Sequence, residues 1–164
     1  MAVEFGIYQL LRDNPLVSSY VGGRIFGGRA PAGATEPLIV FQTPVTQDLG
    51  YHAQGASGLR MARLQFDSYA KKYADTIKVK DAVRSVLQSF SGNLPDGTPV
   101  NGCIVVRDMD FPFEPGNSGY SFRRLLEIDV QYTEAVLAFT PPNTIFPNIT
   151  ELEFDTIEDD GQQP

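Results

Sequence analysis

Two stretches of this chain, LRMARLQFDSYA at 59–70 and FRRLLEIDVQYTEA at 122–135, alternate apolar and polar residues with few breaks. Ala62, Leu64 and Phe66 point one way while Arg63, Gln65 and Asp67 point the other. Leu126, Ile128, Val130 and Tyr132 likewise alternate with Glu127, Asp129, Gln131 and Thr133. A period of two is that of a strand whose side chains face opposite ways in turn. Strands with one dry and one wet face belong to an antiparallel sheet covered on one side only.

The cover must come from elsewhere in the chain. Between the two strands lies an amphipathic segment, Lys71 to Phe90, in which Tyr73, Ile77, Val83, Val86, Leu87 and Phe90 make an apolar side. Its lysines and Arg84 are expected to stay wet or to snorkel along its flanks. A second helix is predicted over Val3–Leu11, with Val3, Ile7, Leu10 and Leu11 on one face and Phe5 and Tyr8 at its margins. Asp13-Asn14-Pro15 punctuates the chain, and a further turn or two of helix ends at Gly22. PLIVFQTPV reads as the first long strand, with Pro44 marking an edge or a bulge. CIVVRDM reads as a short strand with Cys103 inside it. The expected fold is α+β: a mostly antiparallel sheet of about four strands, helices on one face, and long polar loops at 46–58 and 110–122. Residues 1–138 make one domain in this reading, and 139–164 an acidic C-terminal extension.

The segment VGGRIFGGRAPAGATEP could be mistaken for a phosphate cradle. A Walker-type loop needs Gly-Lys followed by Ser or Thr, and a dinucleotide fingerprint needs a strand before its glycines and a helix directly after. Neither condition is met. The glycines make turns on either side of a short extended piece, Arg24-Ile25-Phe26.

Charge is unevenly spread. The net charge is −7, yet residues 141–164 hold six of the chain's 20 carboxylates and no lysine or arginine, so the remainder is almost neutral. That is the wrong balance for gripping a nucleic-acid backbone. The longest apolar runs are too short to span a membrane, and a single cysteine excludes an internal disulfide framework.

No catalytic constellation emerges. His52, the single histidine, sits in a glycine-containing loop without cysteine or carboxylate at metal-ligand spacing. Cys103 reads as a small buried hydrophobe. Asp108 and Asp110 have the spacing of a same-face pair on a strand, and Arg123-Arg124 straddle the two faces of the last strand. Lys71, Lys72, Lys78, Lys80 and Arg84 read as a solvated helix face, because Asp75 and Asp81 dilute them and no aromatic stacking platforms alternate with them. By elimination the chain is a structural or interaction module without metal or cofactor. Open sheet edges and long loops favour pairing with further copies. The alternative of another class is a small enzyme or nucleic-acid-binding protein whose site goes unrecognised.

LLRDNPLVSSYVGGRIFGGRAPAGATEPLIVFQ, then GASGLRMARLQFDSYAKKYADTIKVKDAVRSVLQSF, and later YSFRRLLEIDVQY together resemble the tail-completion family of long-tailed bacteriophages, related to the tail terminators of siphophages and of gene transfer agents. The resemblance covers roughly residues 4–134. It implies a structural virion protein that forms a ring, expected to be hexameric, on the head-proximal end of the tail tube. Such a ring ends tube polymerisation and offers a docking surface to the head connector, with genomic DNA passing through its lumen without specific binding. Implied partners are the major tail tube protein, a connector or stopper protein and the tape measure protein. The implied location is the head–tail junction, after assembly in the host cytoplasm. A head–tail adaptor or stopper ring is the neighbouring alternative. Carried over onto this sequence, the motif positions are Arg24 to Phe26, Pro31, Gly33, Pro37 to Gln42, Asp67, Tyr69, Ala70, Arg123 and Arg124. They are fold or interface candidates, with Tyr51 and His52 in the 46–58 loop added as contacts. The pattern ends near Tyr132. Beyond it, Phe146, Leu152 and Phe154 are spaced like the contacts of an arm, over 139–157, that clamps a neighbouring subunit.

Overall fold

A computed structural model describes residues 3–52, 55–111 and 121–134, at 51, 52, 55 and 56 by backbone alone. The arm at 139–157, with Phe146, Leu152 and Phe154, lies outside the described residues, as does most of the 110–122 loop.

The chain opens with α1 (Val3–Asp13), which buries Val3, Ile7 and Leu11 at a spacing of one helical turn. Asn14 then starts α2 (Pro15–Val21). Its Oδ1 accepts the backbone N–H groups of Leu16 and Val17 at 2.9 and 3.4 Å, and Pro15 occupies a position that needs no donor. Gly22 ends α2 in the left-handed region, φ 55°, its N–H reaching Ser18 O at 2.7 Å.

Next comes β1 (Ile25–Gly27), then β2 (Leu38–Asp48) and two short strands, β3 (Tyr51–His52) and β4 (Gly55–Ala56). They are followed by β5 (Leu59–Ala70), α3 (Tyr73–Leu87), β6 (Gly92–Asn93), β7 (Pro99–Asp110) and β8 (Phe122–Thr133). The main sheet is six-stranded in the order β1-β2-β5-β8-β7-β6, and β3 and β4 pair separately. Every pairing is antiparallel except β1 with β2. The sheet is curled, with the helices on one face. The four long strands are those expected, β1 falls on the short extended piece read at Arg24-Ile25-Phe26, and β6 is too short for periodicity to reveal.

Alternation maps directly onto the two faces. Ala62, Leu64 and Phe66 stand opposite Val130, Ile128 and Leu126, all buried beneath the helices. The helices meet this surface with Val17, Val21, Val79, Val83 and Leu87. Pro44 lies in a register shift between Gln42 and Val45, the bulge its missing N–H calls for.

Two expectations need correction. The stretch 46–58 is no aperiodic loop: β2 runs on to Asp48, β5 starts at Leu59, and β3–β4 make a small hairpin between them. Its residues show no alternation because the end of β2 is exposed on both faces. Lys80 is not wet but 5% exposed. It falls on the same stripe as Thr76, Val79, Val83 and Leu87, so helical geometry carries its stem inward.

Candidate functional site

Arg24 and Pro37, thirteen residues apart, are brought together. Arg24 Nε donates to the Pro37 carbonyl at 2.9 Å, while Ile39 N–H donates to the Arg24 carbonyl at 2.9 Å. The arginine therefore staples the glycine-rich turn to the first residues of β2. Phe26, one position into β1, borders an open groove of about 580 Å³ formed with Glu4, Phe5, Tyr8, Ile25, Gly27, Arg29 and Phe41. A line of ring contacts descends from this groove into the core: Phe5 to Tyr8 at 6.5 Å, Tyr8 to Phe41 at 6.2 Å, and Phe41 to Phe66 at 6.3 Å. Phe5 itself is 50% exposed. Gln42 is exposed opposite Gln65.

The helix-free face of the sheet carries paired charges. Arg63 grips Asp129 with both arms of its guanidinium, at 2.7 and 2.8 Å. Asp67, buried, accepts from Arg123 Nε at 2.9 Å and from Gln65 at 2.8 Å. Arg107 lies 3.5 Å from Glu127. Hydrogen bonds to their carboxylate partners raise the pKa of Arg63 and Arg123, and burial raises Tyr69. The Arg123 guanidinium also covers the Phe111 ring at 4.2 Å. Three cations thus meet three anions on one surface.

Arg124 turns to the opposite face, as adjacent positions on a strand must. There it joins a cluster that locks α3 onto β7. Arg124 Nε is 2.6 Å from Asp110, Tyr73 Oη donates to Asp110 at 2.7 Å, and Lys80 Nζ donates to Asp108 at 2.8 Å. Asp108 and Asp110 do share a face, but both are taken up by these cations.

The far edge of the sheet is open. β6 covers only Pro99 and Val100 of β7, so from Asn101 to Asp110 the outer edge has no partner strand among the described residues. Along it Ile104, Val106 and Met109 are 59%, 44% and 42% exposed. The reading of CIVVRDM as a short strand around a buried Cys103 holds, but it gives no sign of this patch. The signal was present, since an unbroken apolar run puts side chains on both faces and only one face has helices over it. The groove aromatics Phe5 and Tyr8 had been placed at the margins of their helix, which is where they lie.

Nucleophilic chemistry finds little footing. Cys103 is 3% exposed, and burial pushes its thiol up to about 11, leaving it protonated near neutrality. Among the described residues no three His, Cys, Asp or Glu side chains converge as metal ligands, and no helix is long and apolar enough to cross a membrane.

An α+β layer with an open edge strand, an exposed aromatic groove and its charges paired in place is a module built for contact with other proteins. Residues 6–117 match the family described as "Tail completion protein gp17". The chain belongs to this family. It is a non-catalytic structural virion protein of the tail and head–tail region. Among solved structures, a chain of the "Virion of native gene transfer agent (GTA) particle" shares the fold, with a TM-score of 0.65 at 16% identity over 81% of this chain and 96% of that one. No curated protein matches.

Proposed function

We propose that this protein caps the head-proximal end of the tail tube as a ring, expected to be hexameric, which ends tube polymerisation and presents the surface to which the head connector docks. The observation that carries this reading is family membership over a sheet whose outer edge strand, among the described residues, has no partner strand along most of its length and exposes apolar side chains. Such an edge is a site for protein contact, and a unit with unlike contact surfaces closes into a ring when its rotation allows. One face of the ring complements the last ring of the major tail tube protein, and the other offers no place for another tube subunit. The tape measure protein sets the length at which the cap is added.

In this reading the β2–β5 hairpin, with Tyr51 and His52 near its tip, reaches toward the tube. Arg24 contributes by holding the turn beside the groove. Residues 139–164 form a separate extension, of which 139–157 clamps a neighbour through Phe146, Leu152 and Phe154. The charge-paired face suits a lumen that lets genomic DNA pass without retaining it, since no excess of cations is available to displace counterions.

Imaging tails assembled without this protein tests the proposal. Tubes of uncontrolled length are expected. Headless tails of correct length would refute termination and favour a connector or stopper role instead.

A further inference from the structure

Two apolar patches stand at opposite borders of the same sheet. The groove of Phe5, Tyr8, Phe26 and Phe41 lies beside β1, and the exposed row Ile104, Val106 and Met109 lies on β7. We infer that they are the two halves of one subunit seam: the β7 edge of one copy seats in the α1–β1 groove of the next. This rests on the ring reading above.

The unlikeness of the patches favours a second copy as occupant. One is a row projecting from an open strand, the other a concave aromatic surface, so each supplies what the other lacks. Contact between unlike surfaces on opposite sides of a subunit repeats head to tail and closes a ring, whereas β7 pairing with β7 would stop at a two-fold dimer and leave the groove open. Charge does not oppose the contact: the groups beside Met109 already have partners within the chain, Arg107 in Glu127 at 3.5 Å and Asp110 in Arg124 at 2.6 Å, so covering the row strands no charge. An exposed apolar edge strand invites indiscriminate pairing unless something covers it, and the neighbour's groove provides that cover.

Cysteine pairing across the seam tests this. The full-length double variant Phe5→Cys/Ile104→Cys, treated with a short bismaleimide in solution at high concentration and on purified tails, is expected to give a ladder of covalent multimers ending at the copy number of the ring. Each single variant should remain uncrosslinked, as should the native chain, whose Cys103 is buried. Tyr8→Cys/Met109→Cys reports on the same seam should the first pair misfold by circular dichroism. Rings visible by electron microscopy without a ladder would overturn the seam and leave the capping ring standing. Dimers from Ile104→Cys alone would overturn it in favour of edge-to-edge pairing. A ladder that appears only once residues 139–164 are deleted would assign the groove to the chain's own C-terminal segment. Neither rings nor ladder, in solution or on tails, would refute ring and seam together.

Discussion

Asp108→Ala offers the sharpest test of how α3 is held to the sheet. The Asp108 carboxylate receives Lys80 at 2.8 Å and lies 3.4 Å from Arg84 and 3.9 Å from Arg124. Of the three, only the Lys80 side chain is nearly sealed from water, at 7% exposure. Removing one partner of a buried pair typically costs about 3–5 kcal/mol, because a desolvated charge is left behind. Lys80 keeps Asp81 at 2.7 Å, an aspartate that is itself 56% exposed, which argues for the lower end, about 3 kcal/mol. Lys80→Met retains the aliphatic stem and abolishes the stranded charge, while Asp108 keeps its two arginines, so it should change stability by less than about 1 kcal/mol. In the Lys80→Met background, Asp108→Ala loses only the two longer contacts and should cost about 1 kcal/mol. The coupling between the two sites is then about 2 kcal/mol. Urea unfolding of the four proteins at neutral pH, followed by far-UV circular dichroism, measures it. A cost below about 1 kcal/mol for Asp108→Ala, or the same cost with and without Lys80, would refute the stranded-charge account.

Three further outcomes are expected. Asn14→Ala removes the oxygen that satisfies the first donors of α2 and should cost about 1 kcal/mol in the same assay, with Asn14→Asp restoring most of it. Phe66→Ala empties the foot of the aromatic line at a site 1% exposed and should cost about 3–5 kcal/mol, a loss that repacking by Phe41 would have to make small to contradict. Stability should fall as pH rises above about 9: burial moves the Cys103 thiol from its ordinary 9.0 to about 11 and raises Tyr69 and Tyr132. Lys80 also sits high, its desolvation outweighed by Asp108 and Asp81. In each case the unfolded chain releases its proton first, so the contribution is complete below the unfolded pKa and is lost on the alkaline side. A urea midpoint unchanged between pH 8 and 10.5, or a decline that begins no later in Cys103→Val, would count against it.

The strands β5 and β8 were legible because each has one face under helices and one face in water, which writes a period of two into the sequence. The α1 stripe was legible for the same reason at a period of a helical turn. What escaped notice lacked such a contrast. The end of β2 is wet on both sides, and β6 is shorter than any period it could display. Lys80 was grouped with the solvated lysines of α3, although its position relative to Thr76 and Val83 puts its stem on the buried stripe. Of the candidate residues, Arg24 and Pro37 were picked out separately as motif positions, and their hydrogen bond across thirteen residues was not read from the sequence. Asp67 and Arg123 were also picked out, yet their union depends on a register between strands 56 residues apart, which no local pattern encodes. The β7 patch was hidden because CIVV is an unbroken apolar run, with no alternation to tell its wet face from its dry one.

The placement of β8 beside β5 also shapes how the chain comes off the ribosome. These two central strands are separated by about fifty residues that must be synthesised first, which takes roughly 3–10 s at bacterial-scale elongation rates of ~5–20 residues per second. During that interval β5 has β2 on one flank and nothing on the other, so a nascent chain carries a second, temporary open border in the middle of its future sheet. Chaperone demand and losses to aggregation should therefore peak before β8 has emerged to pair with β5 and drop sharply once it has.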